Sequence, residues 1–309
     1  MTRRTDAAAA PIAQAIAIAL AGVVCSAPVA AQDDMSEVEI RREHVAGTVH
    51  VLYGRGGNIG VATGPDGIIL VDDQYAPLTP KIRTAVAAIS EAPLRFVINT
   101  HWHGDHTGGN EALGKAGATI VAHDAVYTRL SSDQVMMFLG NERKVGAKPP
   151  EAWPVITFNE TLSFHINGET VRAHHVPHAH TDGDSLIHFP ASNVIHMGDT
   201  YFAGGYPFID LSSGGSLQGI IAAVETARDL ADGDTRFIPG HGKVGTRADL
   251  DRYLAMLTTA RDRVQALIDQ GLTLEQIQSR RPLEDYDADW GQGFIEPDAF
   301  LSFIYVSLT

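Results

Sequence analysis

The sequence predicts an α/β chain in which two similar sheet-plus-helix halves pack as a layered sandwich within one domain. Two observations carry this. Strands and helices alternate, then strands and helices alternate again, with no long low-complexity linker between the sets. No repeat of fixed short period is visible, which excludes solenoids and propellers. At 309 residues the chain can bury a sizeable core, and 44% hydrophobic with 19% charged residues is ordinary for a globular protein.

In the first half, the runs at 48–53, 58–62 and 68–72 are short and β-branched. Gly56-Gly57 and Gly64-Pro65-Asp66-Gly67 punctuate them as hairpin turns. Residues 79–91 have the spacing of an amphipathic helix. The apolar run 94–99 is the next strand, followed by a helix from about 109 to before 117 and a strand at 118–122. Residues 131–153 show weak periodicity and contain Met136, Met137, Phe138 and Pro149-Pro150. They read as a helix-loop excursion able to overhang a site.

A second set of strands is expected at 155–158, 162–166, 170–175, 185–189 and 193–197. A helix follows at 217–230, a strand at 235–239 and a long helix at 247–270. An apolar helical face at 297–308 closes a C-terminal helical segment spanning 247–309.

The first 31 residues have the pattern of a cleaved signal peptide. Arg3 and Arg4 give a positive start, 11–24 is apolar and alanine-rich, and Val29-Ala30-Ala31 offers small residues for a peptidase, leaving Gln32 first. The apolar stretch is too short to span a membrane. The arginine pair lacks the apolar residues that follow it in a twin-arginine signal, so the expectation is general export to the periplasm or medium. Cys25 is the sole cysteine. Val24 stands where a lipidation signal needs a small residue, and cleavage leaves residues 32–309 without thiol or disulfide chemistry.

Acidic residues outnumber basic ones, 37 to 23, and no lysine- or arginine-rich run occurs. That balance excludes a nucleic-acid footprint and leaves a small molecule as the expected partner.

The densest chemistry lies in residues 100–110, which hold His101, His103, Asp105 and His106 and end in Gly108-Gly109. Side chains two apart in an extended segment point the same way, so His101 and His103 reach one metal ion. Asp105 and His106, where the chain turns, face a second. Imidazoles with a carboxylate suit zinc, with iron or manganese as alternatives. Further on, His180 is the candidate third ligand of the first metal, with His178 its competitor. His174 and His175 read as strand-packing or surface residues. Asp199 follows Gly198 at a strand end, where a carboxylate can bridge two metals. His241 sits between Gly240 and Gly242 at another strand end. These positions share one arrangement, a ligand type at the C-terminal end of a strand beside glycine or a turn, and strand ends on one sheet edge converge.

His101, His103, Asp105 and His106, then His180-Thr181, then Gly198-Asp199, then Gly240-His241-Gly242 resemble the metallo-β-lactamase superfamily over about 45–245. The resemblance implies a four-layer αββα sandwich with a two-metal site at one edge of the sheets. It implies that His101, His103 and His180 hold the first metal, that Asp105, His106 and His241 hold the second, and that Asp199 bridges.

Two Zn2+ ions so placed lower the pKa of a shared water toward neutrality and supply a hydroxide without a protein nucleophile. The missing cysteine and Gly-x-Ser-x-Gly motif agree with that. Metal-assisted hydrolysis of an amide, lactam or ester-type bond is therefore expected, with Asp105 orienting the water. In β-lactamases with a three-histidine first site, a cysteine aligns with Asp199 and a lysine follows three residues on, where Phe202 stands here. An aspartate bridge resembles glyoxalase II and lactonases, which keeps lactonase, esterase and thioesterase activity open. A mononuclear iron persulfide dioxygenase uses part of the same motif.

Overall fold

Strict alternation along short strands builds two sheets that share one core. The structure is a computed structural model that describes residues 35–309, and the expected signal segment 1–31, with Cys25, lies outside the described residues. The chain enters through β1 (Arg41–Ala46), β2 (Val49–Tyr53), β3 (Ile59–Ala62) and β4 (Ile68–Val71), an antiparallel meander. Helix α1 (Thr79–Ala87) crosses to β5 (Leu94–Ile98), parallel to β4. Two short helices, α2 (Gly104–Thr107) and α3 (Asn110–Lys115), lead to β6 (Thr119–His123), parallel to β5. Helix α4 (Asp124–Leu130) precedes a hairpin of β7 (Gln134–Phe138) and β8 (Asn141–Val145), and β9 (Ile156–Phe158) then pairs parallel with β6. The first sheet thus runs β1-β2-β3-β4-β5-β6-β9.

The second sheet contains β10 (Thr161–Ile166), β11 (Glu169–His175), β12 (Ser185–Phe189), β13 (Val194–His196) and β14 (Arg236–Ile238), in that order. Its pairs are antiparallel except β13–β14, which helix α5 (Leu217–Leu230) connects in parallel. Helices α6 (Arg247–Ile268), α7 (Leu274–Arg280), α8 (Glu284–Trp290) and α9 (Pro297–Leu308) complete the expected C-terminal helical segment.

Period-two burial makes four layers. In β4, Ile69 and Val71 point between the sheets while Ile68 and Leu70 point outward to Leu78, Ile82 and Val86 of the α1 region. In β12, Ile187 and Phe189 fill the inter-sheet core while Leu186 faces the α5, α6 and α9 layer. The same split separates Ile238 from Phe237. Each such side chain stabilises the fold by roughly 1.5–3 kcal/mol, and a charge at Ile187 would break the central layer. The result is the αββα sandwich that the resemblance implies. No described helix is long and apolar enough to cross a membrane.

Two local expectations are corrected. Residues 131–153 are not a helix-loop excursion but chiefly the β7–β8 hairpin. Leu139 and Gly140 both adopt positive φ, 47° and 79°, which fits the twist of a two-residue hairpin turn. Helical spacing is absent there because Gln134, Met136 and Phe138 face inward while Val135 and Met137 face out. The run at 155–158 belongs to the first sheet rather than the second. The crossover through α4 and the hairpin returns the chain to the β6 edge, where Val155 N–H donates to Ile120 C=O at 2.9 Å.

Candidate metal centre

The strands deliver their ligand-type residues at one edge. His101 and His103 follow β5, Asp105 and His106 lie in α2, and His180 follows β11. Asp199 occupies the turn Gly198–Thr200 after β13, and His241 follows β14. All seven meet in one cluster. The ligand atoms of His101, His103 and His180 lie within 4.8 Å of one another, as do those of His101, His106 and Asp199, and those of Asp105, His106 and His241. Asp199 stands between the groups, its Oδ1 3.1 Å from His106 Nε2 and its Oδ2 3.6 Å from His180 Nε2 and 3.5 Å from His241 Nε2. His178, the competitor to His180, is instead exposed, with its Nδ1 3.0 Å from Gly214 C=O. His175 stacks on His123 at 3.7 Å, and His174 lies 6.3 Å from the His188 ring, so neither joins the cluster.

Glycines open the space. A Cβ on Gly240 would come 1.9 Å from Asp199 Oδ1, and one on Gly57 would come 2.1 Å from His106 Cε1. The Gly-His-Gly motif therefore serves the Asp199 carboxylate as much as His241. His241 itself stacks on Phe202 at 5.4 Å.

The rings are fixed from behind. Asp72 Oδ2 lies 2.7 Å from His106 Nδ1 and accepts from Thr100 Oγ1 at 2.8 Å, and Thr100 Oγ1 lies 3.0 Å from His101 Nδ1. His103 Nε2 lies 3.0 Å from Asp210 Oδ2, and His180 Nδ1 lies 2.9 Å from Phe208 C=O. One nitrogen of each of these four rings is thus occupied by an oxygen partner, and the other turns to the cluster. Asp72 and Asp210 are functional residues that the sequence reading missed. The only signal was position: Asp72 ends β4 beside the ligand-bearing β5, in a left-handed conformation with φ 65°.

Buried atoms left without partners show what the cluster accepts. His101 Nε2, His106 Nε2 and Asp199 Oδ1 are buried and make no well-aligned hydrogen bond, the last two facing each other at 3.1 Å. Such orphans are costly, and divalent cations would satisfy them together. Electrostatics agree. Burial works against ionised Asp199, yet His106 and His241 hold it well below the usual carboxylate range. Burial works against a charged His106 too, but Asp199, Asp105 and Asp72 raise it well above the usual imidazole value. His241 is raised to about 9 by Asp199 and Asp105 against the effect of burial. His180 is lowered to about 4, first by burial. The donor set of nitrogens and carboxylate oxygens suits zinc-like cations.

A family model described as the metallo-beta-lactamase superfamily matches residues 52–269. Among curated proteins, a hydroxyacylglutathione hydrolase of Polaromonas sp. is 34% identical over 124 residues, 40% of this chain and 45% of its own length. An atrochrysone carboxyl ACP thioesterase of Aspergillus terreus is 27% identical over 151 residues, 49% of this chain and 40% of its own. The chain spans less than half the length of these relatives. Among solved structures, a metallo-beta-lactamase from Pontibacter korlensis has a TM-score of 0.59 at 17% identity, covering 71% of this chain and 99% of that one. A stereoselective inverting sec-alkylsulfatase from Pseudomonas sp. has a TM-score of 0.65 at 16% identity, covering 86% of this chain and 50% of that one. At these identities the structural likeness concerns the fold alone. Family match, layered fold and converging ligand residues agree: the chain belongs to the metallo-beta-lactamase superfamily.

Proposed function

We propose that this chain is an exported hydrolase with two zinc ions, acting on a small molecule that carries an ester, thioester, lactone or amide bond. The observation that carries the reading is the pair of ligand groups flanking Asp199, with histidine nitrogens pinned behind them. His101, His103 and His180 would hold one ion, Asp105, His106 and His241 the other, with Asp199 between. Ions bound there supply Lewis acidity toward a carbonyl and lower the pKa of water.

The chain's own groups do the rest. Asp72, Asp210, Thr100 and the Phe208 carbonyl hold the imidazoles in one tautomer and orientation. Asp105 is the more exposed carboxylate of the cluster, its side chain 23% accessible against 6% for Asp199. Burial works against its ionisation, but His106 and His241 outweigh that and hold it below the usual carboxylate range. Asp105 would therefore orient the attacking water as a carboxylate.

Ester-type substrates are favoured over lactams by one observation. Phe202, at the position where a cationic anchor for a drug carboxylate stands in the three-histidine β-lactamases, stacks on His241 and presents no charge. The named activities of the curated relatives, a hydroxyacylglutathione hydrolase and an ACP thioesterase, support the same preference. The test is a screen of the metal-quantified protein against nitrocefin, lactones, p-nitrophenyl esters and thioesters. Turnover of esters or thioesters above nitrocefin is expected, and turnover of nitrocefin alone contradicts the preference.

A further inference from the structure

The β7–β8 hairpin is placed against the cluster by apolar contacts and by a hydrogen-bonded chain. Its Met136 and Val145 pack against the small apolar cluster of Trp102, Ala122, Val126 and Leu130, and Trp102 is the residue between His101 and His103. Met137 N–H donates to Ser212 Oγ at 2.9 Å, Ser212 Oγ donates to Asp210, and Asp210 holds His103. Phe138 then forms the middle of an aromatic row. Its ring lies 5.4 Å from Phe208 and 5.5 Å from Phe294, and Phe208 lies 6.0 Å from the His103 ring and 5.6 Å from the His180 ring. Phe294 is 62% exposed, Phe138 is half-buried and Phe208 is buried, so the row runs from solvent inward to the ligand histidines and is open at its Phe294 end. An exposed apolar ring at the mouth of such a row marks a surface for an apolar ligand.

A cation lies on that row. The Arg143 guanidinium sits 3.7 Å above the centre of the Phe138 ring, a cation–π contact made by an exposed side chain.

We propose that the hairpin selects an amphiphilic anion: an aromatic or apolar body laid on Phe294 and the open rim of Phe138, with a carboxylate or similar anion on Arg143. This deepens the hydrolase reading and rests on it for the reaction, but the recognition itself is measurable by binding. The anchor that Phe202 does not provide would then come from the hairpin.

Metal-loaded wild type, Arg143→Gln, Arg143→Lys and Phe138→Ala are titrated calorimetrically with 2-naphthoate and with neutral 2-naphthylmethanol. Arg143 is exposed, so its variants fold. Arg143→Gln is expected to weaken naphthoate roughly fivefold, the size of one exposed charge pair, while shifting naphthylmethanol less than twofold. Arg143→Lys restores most of the loss, and Phe138→Ala weakens both ligands. Equal effects of Arg143→Gln on both ligands, no effect, or no naphthoate binding by wild type overturns the anion assignment. Unchanged binding in Phe138→Ala overturns the aromatic one. Turnover of p-nitrophenyl esters by the same wild-type preparation reports on hydrolysis separately. Arginine-dependent binding without turnover supports this recognition surface and counts against the hydrolase.

Discussion

Asp72 Oδ2 lies 2.7 Å from His106 Nδ1, and the same oxygen accepts from Thr100, which in turn meets His101 Nδ1. One buried carboxylate thus braces a ligand histidine of each proposed metal. Asp72→Asn keeps the volume and tolerates the left-handed backbone at φ 65°. It is expected to lower metal affinity by roughly 10–100-fold, the usual cost of losing such a partner, while the unfolding transition of the metal-free protein moves little. Competition with a chromophoric chelator measures it.

Histidines outside the cluster give the contrast. His174→Ala is expected to leave metal content and hydrolysis within about twofold of wild type, because the side chain lies on β11 against His188 rather than at the strand-end edge. His103→Ala is expected to abolish hydrolysis and lower metal content. Parallel elemental analysis and rate measurements on both variants decide between cluster and bystander.

Metal loading is coupled to protons. His241 is raised to about 9, so in chelator-treated protein at pH 7 it carries a proton that a cation must displace. Apparent affinity is expected to rise with pH up to about 9 and to fall as pH drops below it. Zinc titrated at pH 7 into weakly buffered protein with an indicator dye should release at least about one proton per chain.

Stability depends on pH through a different set. His188 is lowered to about 4, first by burial, and His174, His175 and His123 are lowered for the same first reason. A histidine depressed in the fold stabilises it above the unfolded value near 6.5, and that contribution is lost as pH falls toward 4. Urea midpoints of metal-free protein should decrease across this window. His188→Gln should flatten the slope.

Much of the fold was legible because both periods were strong. The β-branched runs at 58–62 and 68–72 and the expected strand at 185–189 reappear as β3, β4 and β12, and the helices at 217–230 and 297–308 reappear with those bounds. The hairpin at 134–145 was not legible, since its outward residues Val135 and Met137 are as apolar as the inward ones and erase the alternation. Nor was the sheet assignment of β9, which depends on a crossover rather than on local composition. Each of the seven cluster residues was marked by its place at a strand end beside glycine or a turn. Asp72 also stands at a strand end, but its work, like that of Asp210, is to hold another side chain, and only spatial proximity reveals that.

The central claim is that Asp199 joins two metal ions within one cluster. Counting metals by elemental analysis in purified wild type and in Asp199→Ala tests it most directly. Two zinc ions per chain in wild type, falling to one or fewer in the variant together with loss of hydrolysis, is the expected result. A single iron per chain in wild type, or two ions and full activity retained without Asp199, would contradict it.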